Sequence, residues 1–469
     1  MDILNDSVMG VWSIPGKSDS ECEGTLIKNA NGVYVLKTIN CFDGLNDIHT
    51  EKIAIINGFT ENGKKITLLN CSKPNQQINM PGMIVSEFSP LYIIVGAEYS
   101  SENEICCNEV SAEFNGLETW LEIRPFQIFK IPETPEIHLN YSIPQKQSWK
   151  LQNCEIGFDF QADIKSNSYS EFNILQSQKI YFTGNNMSFD DLLNKVYDFA
   201  SFLTLCMGTK TIPMKMCGMD NNGQRIQIIE NTTLNSNLST KLKPLLFITY
   251  TDIRESFGVC IENWYSKKEL LMPVIQRFVE IHEASHNIVS SFLKIVQALE
   301  TFSRRMRHET VLPAEEHEQR LGRILGYVSD KKDYEWLSKV FETPILNEPS
   351  FQSRITKLLK ETAFAFSVSK GAFAKLAYKI ATTRNYYTHF NESLVDKIFS
   401  DHDMFYTIII CKFVIRVLLM KELGIREEQI KERIGCDTEI GYALSKLKLT
   451  EEMKLFDMKI IPSKQEDKM

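Results

Sequence analysis

Arg384-Asn385-Tyr386-Tyr387-Thr388-His389 sets a guanidinium, a polar side chain directly after it and an imidazole within six residues. A guanidinium holds a phosphate through a planar fork of donors. An imidazole moves a proton near neutral pH. Together these are the parts that metal-free cleavage of an RNA phosphodiester requires. On an ideal helix five residues rotate about 140°, so Arg384 and His389 fall on different faces. Asn385 and His389, four apart, share one face, which places Asn385 to orient the imidazole. Arg384 then meets a histidine in one of two ways: the helix ends here, or a second copy of the chain supplies the partner. Spacing alone is weak evidence, because Arg277-Phe278-Val279-Glu280-Ile281-His282 fits the same pattern. The bland reading of 384–389 is a surface arginine and a histidine that closes a helix.

His282-Glu283-Ala284-Ser285-His286 is a literal HExxH. On a helix, histidines four apart can bind zinc while the glutamate serves as the base of a metallopeptidase. Against this reading, Glu280 is charged where such helices are usually apolar. Glu300 and Glu309 offer themselves as a third ligand only by being present. The bland alternative is a charged first turn of the helix that follows. Arg304, Arg305 and Arg307 form a basic cluster that also suits the end of a helix. Tyr386 and Tyr387 can stack on bases or simply pack. The chain has no Walker P-loop, no GxGxxG after a strand and no GxSxG.

The elements that must position these groups differ between the two halves. Residues 1–180 read as short strands, such as Gly32-Val33-Tyr34-Val35-Leu36, Lys65-Ile66-Thr67-Leu68-Leu69 and Leu91-Tyr92-Ile93-Ile94-Val95. Asn31-Gly32 and Asn62-Gly63 are turn signals, and the spacing suggests a sandwich or barrel-like sheet. A helix is predicted over 189–207, capped by Ser188 with Asp191 three residues on. Strand-like pieces return at 225–229 and 245–250. Ile288, Phe292, Ile295, Leu299, Phe302 and Met306 mark a long amphipathic helix. Further helices are predicted over 351–365, 369–388 and 402–423, the last stopped by Gly424. Four such helices suggest an up-and-down bundle. The charged stretch 309–350 reads as short helices and loops. The fold class is α+β: a β-rich domain over 1–255, a helical bundle over 256–449 and a polar tail over 450–469.

The chain has 469 residues and a net charge of −8, so nothing global signals nucleic-acid binding. Residues 1–250 hold 19 Lys and Arg against 28 Asp and Glu, and the remainder 33 against 32, so acidity lies in the first half. Eleven cysteines without CxxC spacing suit a reducing compartment. The first residues show neither a basic nor an apolar leader region. The longest apolar stretch, 404–420, is interrupted by Lys412 and Arg416 and reads as a buried helix rather than a membrane span. A cytoplasmic protein with no membrane partner is expected.

The C-terminal half resembles a HEPN domain of the ApeA type, found in bacterial antiphage defence. The likeness rests on the helix from Phe292 to Phe302, the Arg384-Asn385-x-x-x-His389 element and the closing apolar helix. The first half is similar to the ApeA N-terminal domain in Gly10-Val11-Trp12, Gly24-Thr25-Leu26, Gly58-Phe59-Thr60, Tyr92-Ile93-Ile94-Val95-Gly96-Ala97 and Trp120. Residues 309–350 match no family feature. The resemblance implies an endoribonuclease that needs no metal or cofactor and leaves a 2′,3′-cyclic phosphate and a 5′-hydroxyl. Arg384 and His389 would be its catalytic pair and Asn385 the polar residue beside the arginine, in a site built across a homodimer or higher oligomer. RNA is the implied partner, with tRNA a reasonable substrate class. The N-terminal half would restrain the bundle or sense a phage-derived trigger. The competing readings are a non-catalytic HEPN module that binds RNA or a partner, and a zinc peptidase built on His282, Glu283 and His286.

Overall fold

This computed structural model describes residues 4, 6–17, 21–39, 42, 52–78, 82–131, 133–167, 169–221, 223–232, 248–282, 287–368, 371–434, 438–447 and 453–455. The chain divides into two compact units, residues 1–203 with 211–243, and residues 204–210 with 244–469.

In the first unit, thirteen strands among the described residues form one antiparallel sheet. Six of them, Ser7–Ser13, Cys22–Lys28, Tyr34–Ile39, Ile84–Ser89, Lys65–Ile78 and Lys52–Thr60, pair in a closed ring. This is a small barrel, whose interior is filled by Trp12, Leu26, Leu36, Ile56, Ile66, Leu68 and Phe88. Trp12 explains the glycine motifs around it. Its indole N–H donates to the Gly24 carbonyl at 3.1 Å. A Cβ on Gly24 would come within 2.9 Å of the indole, and one on Gly58 would collide with its six-membered ring. The Asn-Gly turns form as expected, with Gly32 at φ 81° and Gly63 at φ 71°. The remaining strands extend the sheet from Tyr92–Val95 through Arg225–Glu230, Pro213–Asp220, Cys106–Phe114, Glu171–Ser188 and Glu155–Asn167 to Gln147–Lys150. Helices α1 (Leu117–Leu121) and α2 (Phe189–Met207) accompany this extension. Trp120 of α1 stacks edge-on to Phe158, Phe199 and Phe202. Ser188 caps α2, its hydroxyl accepting the Asp191 N–H at 3.3 Å and donating to that carboxylate at 2.8 Å. Eight described cysteines are free thiols, while Cys22 departs from the expected pattern and is disulfide-bonded.

The second unit is helical: α3 (Tyr250–Ile253), α4 (Phe257–Ser266), α5 (Lys268–Glu280), α6 (Ile288–Arg307), α7 (Ala314–Gly326), α8 (Lys331–Phe341), α9 (Phe351–Glu361), α10 (Ala372–His389), α11 (Asp401–Glu422), α12 (Glu427–Ile434) and α13 (Thr438–Lys446). The strand expected at 245–250 is not formed where the structure describes it. Asp252 accepts the Thr249 N–H at 2.8 Å, and this reciprocal cap starts α3 at Tyr250; residues 245–247 lie outside the described residues. Helices α6, α9, α10 and α11 pack on one another. α11 is buried all round, from Met404 through Ile408, Val414 and Leu418 to Met420. Gly424, at φ 84°, follows its end as expected. No described helix is long and apolar enough to cross a membrane.

Arg416 on α11 is buried, and its guanidinium donates to the Leu205 and Cys206 carbonyls at 3.0 and 3.3 Å. It thereby adds a donor to carbonyls at the end of α2, where the helix supplies none; the Cys206 carbonyl also accepts the Ile248 N–H at 3.2 Å. α7 and α8 occupy the stretch read as short helices, and neither contains a buried residue. Within the expected polar tail, Met453–Leu455 instead forms a strand paired with Phe366–Val368; residues 448–452 and 456–469 lie outside the described residues.

Candidate active site

α10 buries Phe373, Leu376, Ala377, Ile380 and Ala381 against the bundle and runs without a break to His389. Its end is fixed in two ways. Phe390 adopts the left-handed conformation at φ 49° and donates its N–H to the Tyr386 carbonyl at 2.6 Å. The buried Thr383 hydroxyl accepts the Phe399 N–H at 3.0 Å.

Arg384 is half-buried on this last stretch. One amino group faces the Glu300 carboxylate at 3.4 Å, and the other donates to the Asn385 side-chain oxygen at 3.1 Å. Its guanidinium lies over the Phe351 ring, 5.1 Å from the centroid. Glu300 is itself shared, accepting from Arg304 at 3.2 Å. Arg304 pairs onward with Glu348, which also accepts from the buried Arg354 at 3.1 Å. Arg384 thus ends a chain of alternating charges that runs across α6, the segment before α9, and α9.

His389 closes α10 and is exposed, as is Asn385. Because the helix is regular from 384 to 389, the two side chains leave it about 140° apart. A helix end that swings His389 toward Arg384 within one chain is therefore not formed. Asn385 turns toward Arg384, and among the described residues no hydrogen bond joins it to His389. Beside this helix end lies an open depression of about 530 Å³, lined by Val289, Leu293, Lys294, Tyr387 and Phe390 among others. Burial, with the nearby Asp401 carboxylate, pushes the Tyr387 phenol up, so it stays neutral.

The second Arg–His pair is a different environment. His282 sits in a turn after α5, and its Nδ1–H donates to the Phe278 carbonyl at 2.7 Å. Burial, reinforced by Lys412, pushes its imidazole down to about 3. Arg277 stands 3.8 Å from Glu280. Glu283 and His286 of the HExxH lie outside the described residues. The two third-ligand candidates are otherwise engaged, Glu300 with Arg304 and Arg384, and Glu309 with Lys357 at 2.9 Å. Among the described residues no group of three His, Cys, Asp or Glu is arranged to hold a metal ion. The basic cluster is likewise structural. Arg305 donates to the Glu269 and Leu270 carbonyls, and Arg307 to Glu361 and Glu422. Burial works against ionised Glu422, yet hydrogen bonds from Arg307 and Lys267 hold its carboxyl below the usual range.

Two family models match this architecture. ApeA N-terminal domain 1 matches residues 7–264, more than half of the chain, and Apea-like HEPN matches residues 293–429. The chain belongs to the ApeA family. The HEPN match takes in Glu300, Arg384, Asn385 and His389, and it runs through 309–350, the stretch that matches nothing by eye. The HExxH falls between the two ApeA matches. No curated protein and no solved structure shows significant similarity to the chain. At family level this architecture carries a HEPN nuclease-type role in antiphage defence.

Sequence reading missed Glu300 and Phe351 as the groups that hold Arg384. The only local sign of Glu300 was a carboxylate four residues before Arg304 on one helix.

Proposed function

We propose that this ApeA protein is a metal-independent endoribonuclease whose site is completed by a second copy of the chain. One observation carries the reading: Arg384 is held by Glu300, Asn385 and Phe351, while His389 is exposed on another face of the same helix end. A single chain offers the two groups in different directions. Two chains meeting at the ends of α10 would bring two guanidiniums and two imidazoles to one cleft. One His389 takes the proton of the ribose 2′-OH as O2′ bonds to phosphorus. The other gives a proton to O5′ as the P–O5′ bond breaks. Arg384 stabilises the charge that builds on the phosphorane oxygens. The products are a 2′,3′-cyclic phosphate and a 5′-hydroxyl, and DNA, lacking the 2′-OH, resists. Host or phage RNA, tRNA among it, is the substrate class, and the N-terminal unit is the regulator.

The test is cleavage of RNA in EDTA. Wild type should cut and leave cyclic phosphate ends detectable by mass spectrometry, and His389→Ala and Arg384→Ala should not. Cutting that survives His389→Ala, or that requires added metal, overturns the proposal. A second reading, a non-catalytic HEPN module, draws support from the same ion pair, since Arg384 already has an anionic partner in Glu300. It predicts RNA binding with no new ends.

A further inference from the structure

The depression at the end of α10 is joined to Arg384 along two helices. On α10, Arg384 and Tyr387 stand three residues apart and share a face. On α6, Ser290, Leu293, Gln297 and Glu300 follow at intervals of three and four residues, so they form one stripe. Glu300 holds Arg384, and the other three line the depression with Tyr387. The depression therefore begins about one helical turn, roughly 5 Å, from the guanidinium on both helices.

Its lining favours a flat ring with polar edges. α6 supplies the Ser290 hydroxyl, the Gln297 amide and the apolar Leu293, and the end of α10 supplies the rings of Tyr387 and Phe390. Lys294 also lines it but already pairs with Glu280 at 3.2 Å. The depression thus offers ring faces and neutral polar groups rather than an open charge.

Phe390 is the second observation. It follows His389 directly, and 70% of it is exposed. It also holds φ 49°, the left-handed conformation that glycine adopts without strain and an L side chain does not. Glycine is the usual residue where a helix ends in this way. Within the chain the Phe390 ring meets Tyr386, 6.2 Å between centroids, and most of it is left to solvent. A strained backbone that carries an exposed ring fits a side chain kept for what stacks on it.

A ligand that fills the depression must present a flat face to these rings and polar edges to Ser290 and Gln297. It must also be tethered to whatever Arg384 holds one turn away. A nucleotide meets all three conditions, because its ribose joins the base to the phosphate.

We propose that the depression is a base subsite, in which a nucleotide beside the scissile phosphate stacks on Phe390 and Tyr387 while Arg384 holds the phosphate. Its placement at a scissile phosphate rests on the cleavage reading; the stacking is tested without cutting. The experiment uses the full chain carrying His389→Ala, so that the probe stays intact, and a fluorescein-labelled ten-nucleotide oligoadenylate RNA followed by anisotropy. An unlabelled abasic ribose-phosphate strand of the same length, which keeps the charges and lacks the bases, serves as competitor. Adding Phe390→Gly should weaken oligoadenylate binding about tenfold and leave the affinity of the abasic strand unchanged. The melting temperature should stay at or above the parent's, and the salt dependence should not move, since no cation is removed. Phe390→Trp keeps a ring and should bind within about twofold of the parent.

A parent that does not bind the oligoadenylate overturns the proposal, and so does equal affinity in Phe390→Gly. An equal loss for the abasic strand also overturns it, because the effect would then be structural. So does a Phe390→Gly chain that sediments as a smaller species than the parent, since the ring would then belong to a contact between copies. Wild type that cuts RNA in EDTA, beside a Phe390→Gly chain of unchanged affinity, would leave cleavage standing without the subsite. Phe390-dependent binding by a chain that never cuts would leave the subsite standing without cleavage.

Discussion

Arg384 on α10 and Glu300 on α6 share an ion pair of 3.4 Å, and Arg304 takes the other oxygen of the same carboxylate at 3.2 Å. Glu300 therefore aims the guanidinium without claiming all of its donors. An arginine has five N–H groups, and the remainder stay available to a phosphate.

Glu300→Gln should lower the single-turnover rate of RNA cleavage about tenfold, because a misaimed guanidinium loses transition-state contact. The melting temperature should scarcely move, since partly exposed ion pairs contribute about 0–1 kcal/mol. A rate equal to wild type would mean that Arg384 does not depend on Glu300 for its aim.

If two chains complete one site, activity per chain should fall as the protein is diluted through its dimer dissociation constant. Cleavage rate and sedimentation are measured across the same concentrations. A specific activity that stays constant where the protein is monomeric would place the whole site in one chain.

His282 gives the second unit an acid sensitivity. Its imidazole, pushed down to about 3 by burial and Lys412, stays neutral when folded, whereas the unfolded chain titrates near the ordinary histidine value. The unfolded state therefore binds the extra proton. Stability is complete above about pH 6.5 and falls below it by about 1.4 kcal/mol per pH unit. Denaturation curves at pH 5 and pH 7 should show the loss, and His282→Gln should reduce it.

Arg416→Met should destabilise by about 1–3 kcal/mol in chemical denaturation, because the Leu205 carbonyl loses its buried Arg416 donor, while the Cys206 carbonyl keeps the Ile248 N–H at 3.2 Å. Gly208→Ala should act at the same place through strain. Gly208 has φ 76°, and a Cβ would stand 2.9 Å from the Arg416 guanidinium.

In the barrel, Gly58→Val should cost about 1–3 kcal/mol by forcing its side chain into the Trp12 ring. Equal stability of this variant would show that the barrel interior can repack.

Much of this was legible in one dimension because it is local. The period of α6, the Ser188 cap and the Asn-Gly turns are set by neighbours within a few residues, and sequence carries that information directly. The glycine motifs were visible as a pattern, but their cause was not. Gly24 and Gly58 are small because Trp12, distant in sequence, lies against them across paired strands. The same limit hid Glu300, 84 positions from Arg384, and misread Tyr250, where a cap with Asp252 outweighed a short apolar run.

By itself the sequence determined the α+β order of elements, the helix that bears Arg384 and His389, and the ApeA likeness, all of which rest on residue types at short spacing. Only the tertiary structure decided that Arg384 is braced by Glu300 and Phe351, that His389 leaves the helix on another face, and that His282 is half-buried and neutral. Those outcomes depend on which side chains meet across elements, and on how much water burial removes from each, neither of which adjacent residues encode.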